Sequence, residues 1–527
     1  MVYPLLAFVF YLAWAQARPT NFTLHIKSAL INPDCFNQSY AVLIVNDQFP
    51  APALHMVKND IVHLTVRNDV DNNVTTSIHL HGIRQLESNW ADGVAGITQL
   101  AILPGQEFTK AFQVVDQSGT FYYHAHVGTQ DDTVQGPLIV YESEEALKQH
   151  VSDGPYPYDG EHILKWSEWW HQSMYDREDY YMSPTFTADG GPDSIFDVEP
   201  NKVYRLRHIG ALTFRLLDIT IAGHDMELIE VDNEYTEPYP IKSLEITAGQ
   251  RMSTLIRTGN YSAGSLFPIL SQYKYRFDPL NPGYTQSGYG YLRYVDPKDK
   301  KDICIMDRPE PLMPYNATDV IPGWVLPQVK PFVSGDAKIL NATADYTIQL
   351  NMQQVLLPDN TTRFINNGRP YVHFPWGTAN ASLLDIIEDD PEIGELEAFD
   401  GFSTRHYMYP VFQNKVVDFV FQNHYSPPPA PPGLCILHPW HIHGFSHYLL
   451  AEGAGDYNHE TDKDLVTFEA PLLKDVSLVY PRALNGSTGC GWTRVRIFTD
   501  NPGVWAVHCH ITAHMLQGKM TVLRVHK

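Results

Sequence analysis

His508-Cys509-His510-Ile511-Thr512-Ala513-His514 is the stretch on which the reading of this chain turns. On an extended strand, residues i and i+2 share one face and the residue between them takes the other. His508 and His510 therefore point one way and Cys509 the opposite way. One backbone can serve two sites, one on each face, provided the scaffold is built of strands. The rest of the chain agrees. Tyr40-Ala-Val-Leu-Ile-Val45, Ile61-Val-His-Leu-Thr-Val66, Phe108-Thr-Lys-Ala-Phe-Gln-Val114 and Gly136-Pro-Leu-Ile-Val-Tyr141 are short, rich in β-branched and aromatic residues, and bounded by turn formers. The pattern predicts an all-β protein of Greek-key sandwiches or barrels, with one short helix over Glu144 to His150.

Working outward, four His-x-His pairs stand out: His79-Leu-His81, His124-Ala-His126, His441-Ile-His443 and His508-Cys-His510. Random placement of 24 histidines would give about one such pair. An isolated pair is usually a chance strand pattern, but these fall into two groups, at 79–126 and 438–514. A thiolate with two imidazoles is a blue-copper ligand set. Cys509, His514 and His438 supply one. A structural zinc site needs four ligands, often at finger spacings, whereas eleven candidates occur here. Histidines 162, 171, 208 and 224 lie outside the pairs and read as structural.

With 527 residues, 44% of them hydrophobic, the chain is too long for one core. Three domains are expected at 18–150, 160–297 and 335–527. Charged residues at 297–302 and prolines at 309–331 mark a linker, and Ser426 to Gly433 a rigid polyproline loop. The net charge of -23 argues against a nucleic-acid partner. Residues 1–17 read as a signal peptide: an apolar run from Leu5 to Trp14, then Ala15-Gln-Ala17, too short to span a bilayer. Nine Asn-x-Ser/Thr sequons (Asn21, Asn37, Asn73, Asn260, Asn316, Asn341, Asn360, Asn380, Asn485) fit a secreted glycoprotein of the medium or cell wall, with no membrane anchor. With Cys509 reserved for metal, Cys35, Cys304, Cys435 and Cys490 allow three disulfide connectivities.

These segments resemble the multicopper oxidases, the family of laccases, ascorbate oxidases and ferroxidases. Val45-Asn-Asp-Gln-Phe-Pro50 resembles an early strand of that family. Ser77-Ile-His-Leu-His-Gly82 with Trp90-Ala-Asp-Gly93, Gly119-Thr-Phe-Tyr-Tyr-His-Ala-His126, His438 to Gly444 and His508 to His514 resemble its four copper segments. The likeness is nearest to a fungal-type laccase-like enzyme and covers nearly the whole chain. It implies three consecutive cupredoxin-like domains and four copper ions, with the trinuclear site between the first and third domains. By position, it implies type 1 copper on His438, Cys509 and His514, type 2 on His79 and His441, and a type 3 pair on His81, His124, His126, His443, His508 and His510. It further implies four one-electron oxidations of a small donor coupled to reduction of O₂ to water. Asp92 matches a family acid that relays protons. Its plain alternative role is an Asp-Gly turn.

Three departures matter. Lys519 stands ten residues after Cys509, where the family usually places Met, Leu or Phe beside the type 1 copper; either it turns aside, so that Met520 or another apolar group fills the site, or the register differs. Thr512 replaces an Asp or Glu common in the family, so a second proton relay is missing or moved. Leu100 and Asp132 lie where many fungal laccases carry disulfide cysteines. The leading expectation is oxidation of phenolic or aromatic donors by a monomer. A ferroxidase or ascorbate oxidase is the alternative. For a ferroxidase, Ala222-Gly-His-Asp225 shows no acid at the expected place, and Glu227, Glu230, Asp232 and Glu234 are acids without an assigned partner. A copper carrier without turnover would need only the Cys509 set, leaving eight paired histidines unexplained.

Overall fold

A computed structural model describes residues 18–33, 38–174, 176–177, 194–214, 216–274, 287–296, 323–358, 360–371, 381–388, 401–403, 407–425 and 435–527. The leader, most of the linker, the polyproline loop, Cys35, Cys304 and the sequons at Asn37, Asn316 and Asn380 lie outside these residues.

Alternation builds the strands. Along Ile61–Asn68 the side chains of Val62, Leu64, Val66 and Asn68 are buried while Ile61, His63 and Arg67 are exposed. That is the period of a strand with one face on a core. The expected short helix forms over Glu144–Gln149, with the Ser143 side chain accepting from the Ala146 N–H and His150 closing it in the left-handed region.

The strands sort into six sheets that pair along the chain. Two four-stranded sheets use residues 19–141, two five-stranded sheets use 160–294, and a seven- and a five-stranded sheet use 346–526. Each sheet contains one parallel strand contact among otherwise antiparallel neighbours, for example Pro19–Ile31 on Ile61–Asn68 and Tyr409–Phe412 on Met520–His526. One topology is thus repeated three times, and the three domains are cupredoxin-like.

Strands Gly119–Ala125 and Gln135–Tyr141 are buried at every residue, because their second face meets another domain rather than water. Arg207 Nη1 donates to Thr120 Oγ1 (2.9 Å), Arg251 Nε donates to the Thr120 carbonyl (3.1 Å), and the Thr120 N–H donates to Glu230 (3.0 Å). These contacts fix the second domain against the strand that carries His124. Cys435 and Cys490 form a disulfide, and Cys509 is a buried free thiol.

Candidate metal centre

Cross-strand register brings the histidines together. His79 pairs with His124, and His441 pairs with His508. Trp440 pairs with Cys509 in the same ladder, so the thiol faces away from the His441–His508 side. His510 follows its strand, and His514 sits in the helix Thr512–Leu516.

On the thiol face, Cys509 Sγ lies 3.7 Å from His438 Nδ1 and 3.7 Å from His514 Nδ1, and the two nitrogens are 3.1 Å apart. These three atoms lie on a circle of radius about 2 Å, the length of a first-row metal–nitrogen bond. Phe364 edges both rings, at 5.9 and 5.0 Å, and Phe214 edges His514 at 6.5 Å.

On the other face eight histidines form one cluster. Three groups have donor atoms mutually within 4.8 Å: His79, His81 and His441; His81, His124 and His510; His126, His443 and His508. Outer hydrogen bonds fix which nitrogen is free. The Nδ1–H of His79, His124, His441 and His508 donates to the carbonyls of Asp92, Ala125, Asp475 and Cys509 respectively, and that of His443 donates to Asp92 Oδ2 at 2.9 Å. Each Nε2 therefore carries a lone pair aimed inward. His443 Nε2 and His508 Nε2 face each other at 3.0 Å. Two lone pairs that close repel unless a cation lies between them. His79, His124 and His441 leave Nε2 without any hydrogen-bond partner although buried. The arrangement fits metal ions and fits little else.

Burial, then the neighbouring imidazoles, push His81, His441, His443, His126 and His510 well below the ordinary histidine range. His124 falls likewise, and His508 to about 4. Above pH 6.5 folded and unfolded metal-free chains both hold neutral rings, so these rings add no pH dependence there. Below it the unfolded chain takes protons that the folded site refuses, and stability falls by about 1.4 kcal/mol per ring per pH unit. Buried carboxyls work the opposite way: Asp132 and Asp475 are raised to about 6, Glu234 to about 7 and Glu452 to about 8. With Asp131, they offset part of the loss. The metal-free protein should lose stability between pH 6.5 and 5.5, read as a fall in denaturant midpoint. Equal midpoints at both pH values would contradict the buried, neutral site.

Asp92 is fully buried and does more than turn the chain: its carboxylate orients His443, and its carbonyl orients His79. The turn is also real. Gly93 has φ +94°, and a Cβ there would lie 1.9 Å from the Ile78 carbonyl oxygen. Of the isolated histidines, two have partners away from the cluster: His208 bonds Thr254 and accepts from Trp166, and His224 bonds the Tyr294 hydroxyl.

Sequence reading missed Asp475, whose Oδ1 lies 3.2 Å from His81 Nε2 and whose two oxygens accept from Arg251 at 2.5 Å each. It missed Tyr122, whose hydroxyl lies 3.0 Å from His510 Nε2. Neither residue belongs to a motif, and Arg251 and Asp475 are 224 residues apart. The two readings of Lys519 also need correction. The register is regular, with His508 opposite Met520 and the Cys509 N–H bonded to the Lys519 carbonyl. Lys519 does not turn aside; it is 1% exposed, with Nζ 4.6 Å from the Phe364 ring centre and 5.8 Å from that of Trp440. Met520 faces the other way, into a cluster with Val504, Ala506 and Val522.

Family models for multicopper oxidases match residues 25–145, 160–297 and 383–527. Laccase-2 of Fomitopsis schrenkii is 30% identical over 97% of this chain and 90% of its own length. An L-ascorbate oxidase of Brassica rapa subsp. pekinensis is 28% identical over 92% of this chain and 88% of its own. Among solved structures, Fet3p, a multicopper oxidase that functions in iron import, superposes with TM-score 0.78 at 24% identity, covering 96% of this chain and 90% of that one. A laccase from Botrytis aclada superposes with TM-score 0.75 at 23% identity, covering 96% and 88%.

Proposed function

The chain belongs to the multicopper oxidase family, and we propose that it is a secreted, laccase-like enzyme that oxidises phenolic or related aromatic donors. The family's cofactor is four copper ions, which when bound accept single electrons from a small donor and pass four to O₂. In our reading His438, Cys509 and His514 hold the type 1 ion, His79 and His441 the type 2 ion, and His81, His124, His126, His443, His508 and His510 the type 3 pair. The observation that carries this reading is the two-faced strand, with a thiol-centred triangle on one side and inward lone pairs on the other. Cys509 and its covalent neighbours His508 and His510 link the two sites through a few bonds. Asp92 is proposed to pass protons to the cluster it borders.

The donor class rests on the walls of the Cys509 site. Phe214 and Phe364 flank it among the described residues. Glu168 is buried, and its Oε2 accepts from the N–H groups of Thr213 and Phe214 and from the Thr213 hydroxyl, which holds this carboxylate inside the protein and away from an incoming iron ion. Three of the four acids singled out in the sequence are engaged elsewhere: Glu230 pairs with Arg205, Asp232 with Lys474 and Glu227 with Arg257. No helix among the described residues is long and apolar enough to cross a membrane. The apolar leader and the sequons support secretion. Oxygen uptake by the copper-loaded protein, measured with substituted phenols, ascorbate and Fe(II), tests the proposal. Uptake driven by phenols and about four coppers per chain are expected. Uptake with Fe(II) or ascorbate alone would overturn the donor class, and one copper without uptake would overturn the oxidase.

A further inference from the structure

Thr512 lies midway between His510 and His514, and its hydroxyl is 2.5 Å from Asp131 Oδ2. Asp131 sits on the short turn Gln130–Asp132, just past the strand that carries His124. Both side chains are buried, at 1% and 8% exposure. The bond ties a first-domain turn to the third-domain helix at the edge of the histidine cluster. Tyr122, on the strand just before that turn, stacks on His124 and reaches His510.

The surroundings hold more acid than base. Asp132 pairs with Arg177, and Glu168 lies close to Asp132. Three carboxyls thus face one guanidinium among the described residues, all out of water. Full ionisation would leave negative charge buried without a partner, which is expensive, so a proton stays in the cluster. Asp131 is the member that holds it: Arg177 pairs with Asp132, and Glu168 Oε2 accepts from the N–H groups of Thr213 and Phe214 and from the Thr213 hydroxyl. Burial, with Asp132 adding to it, keeps the Asp131 carboxyl well above the usual range.

We infer that Asp131 is a proton store for oxygen reduction and delivers through the Thr512 hydroxyl. The reduction consumes four electrons, supplied by the organic donor, and four protons for each O₂ converted to two waters. In each delivery the Thr512 hydroxyl, which donates to Asp131 in the resting structure, turns to release its proton toward the oxygen being reduced, and its Oγ1 takes the Asp131 proton in its place. Asp131 is left as a carboxylate and regains a proton from water. It acts through Thr512 and does not touch the reacting atoms.

This inference rests on the oxidase function proposed above. If the native copper-loaded protein takes up no oxygen, that function fails; if it does, the variants judge the relay alone. In Asp131→Asn and Thr512→Val, kcat at saturating donor should fall roughly ten- to a hundredfold, within the range of lost acid catalysis. KM for the donor should hold, the kcat–pH profile should change shape, and anaerobic bleaching of the blue band should keep its rate. Asp131→Glu should restore part of the loss. In the metal-free protein, the infrared absorption of protonated carboxyls, to which Glu234 and Glu452 also contribute, should lose one component in Asp131→Asn. If Asp131→Asn fails to retain copper, Thr512→Val decides. Native kcat and pH profile in Thr512→Val, or protonated-carboxyl absorption in Asp131→Asn identical to that of the native protein, overturns the inference.

Discussion

Lys519→Met should stabilise the metal-free protein by about 3–5 kcal/mol at pH 7. The Lys519 amine is 1% exposed, and among the described residues no carboxylate lies within 4 Å of it. Its neighbours are the faces of Phe364 and Trp440 and the Cys509 thiol. Burial, opposed only by Cys509, pushes the amine from 10.5 down to about 7. A depression of that size corresponds to a charging penalty of up to about 5 kcal/mol, of which the two aromatic contacts return part. Methionine matches the lysine stem in volume and carries no charge to desolvate. The pH dependence separates this cause from simple repacking. With its folded pKa depressed, the lysine penalty is complete below about pH 7 and fades as pH rises toward 10.5. The advantage of the methionine variant should therefore shrink to about 1 kcal/mol at pH 10. Denaturant midpoints at the two pH values measure it. A gap that does not change with pH would show that the amine is not the source.

A residue that breaks a local rule at such cost, on the thiol face of the strand, is where sequence logic is expected to fail for functional reasons. Much else was legible. The His508–His510 period, with Cys509 opposed, follows from strand geometry alone, and the structure places the thiol and the histidines on opposite faces as that geometry requires. The strands at Tyr40–Val45 and Ile61–Asn68 were readable because each alternates or runs apolar between turn formers. Asp475 was not readable. It gains meaning only when the second domain brings Arg251 against the third and both meet His81, and no local period records a contact between distant segments. The Asp131–Thr512 bond was half legible: the sequence showed an acid missing at 512, while its position across a domain boundary needed the fold. Lys519 failed for a different reason. The cost of a buried amine argued for turning it aside, but the regular pairing of His508 with Met520 fixes its face whatever that cost.

The same two-faced strand makes its strongest demand of His508. In the copper-loaded protein, His508→Ala should abolish oxygen uptake yet leave most of the blue colour. His508 Nε2 lies 3.0 Å from His443 Nε2 and 3.4 Å from His126 Nε2, while its Nδ1–H is anchored on the Cys509 carbonyl. Removing the ring takes one inward lone pair from a three-histidine group and leaves His126 and His443 facing a gap. Removing only the outer hydrogen bond of a ligand commonly costs about 10–100-fold in metal affinity or activity, so loss of the ligand itself should exceed that. Cys509 Sγ, His438 Nδ1 and His514 Nδ1 make their triangle on the opposite face, and the His508 ring takes no part in it. Alanine keeps the backbone, and the ladder from Trp440 to Cys509 does not depend on the lost side chain. The thiolate absorption should therefore survive, and donor should still bleach it anaerobically. Reoxidation by O₂ should stop, and copper content should fall by less than the full complement. Cys509→Ser should do the reverse to the spectrum, removing the blue band while leaving the eight-histidine cluster to bind metal. If His508→Ala turned over oxygen at the native rate, or lost its blue band as completely as Cys509→Ser, the division of one strand between two sites would be wrong.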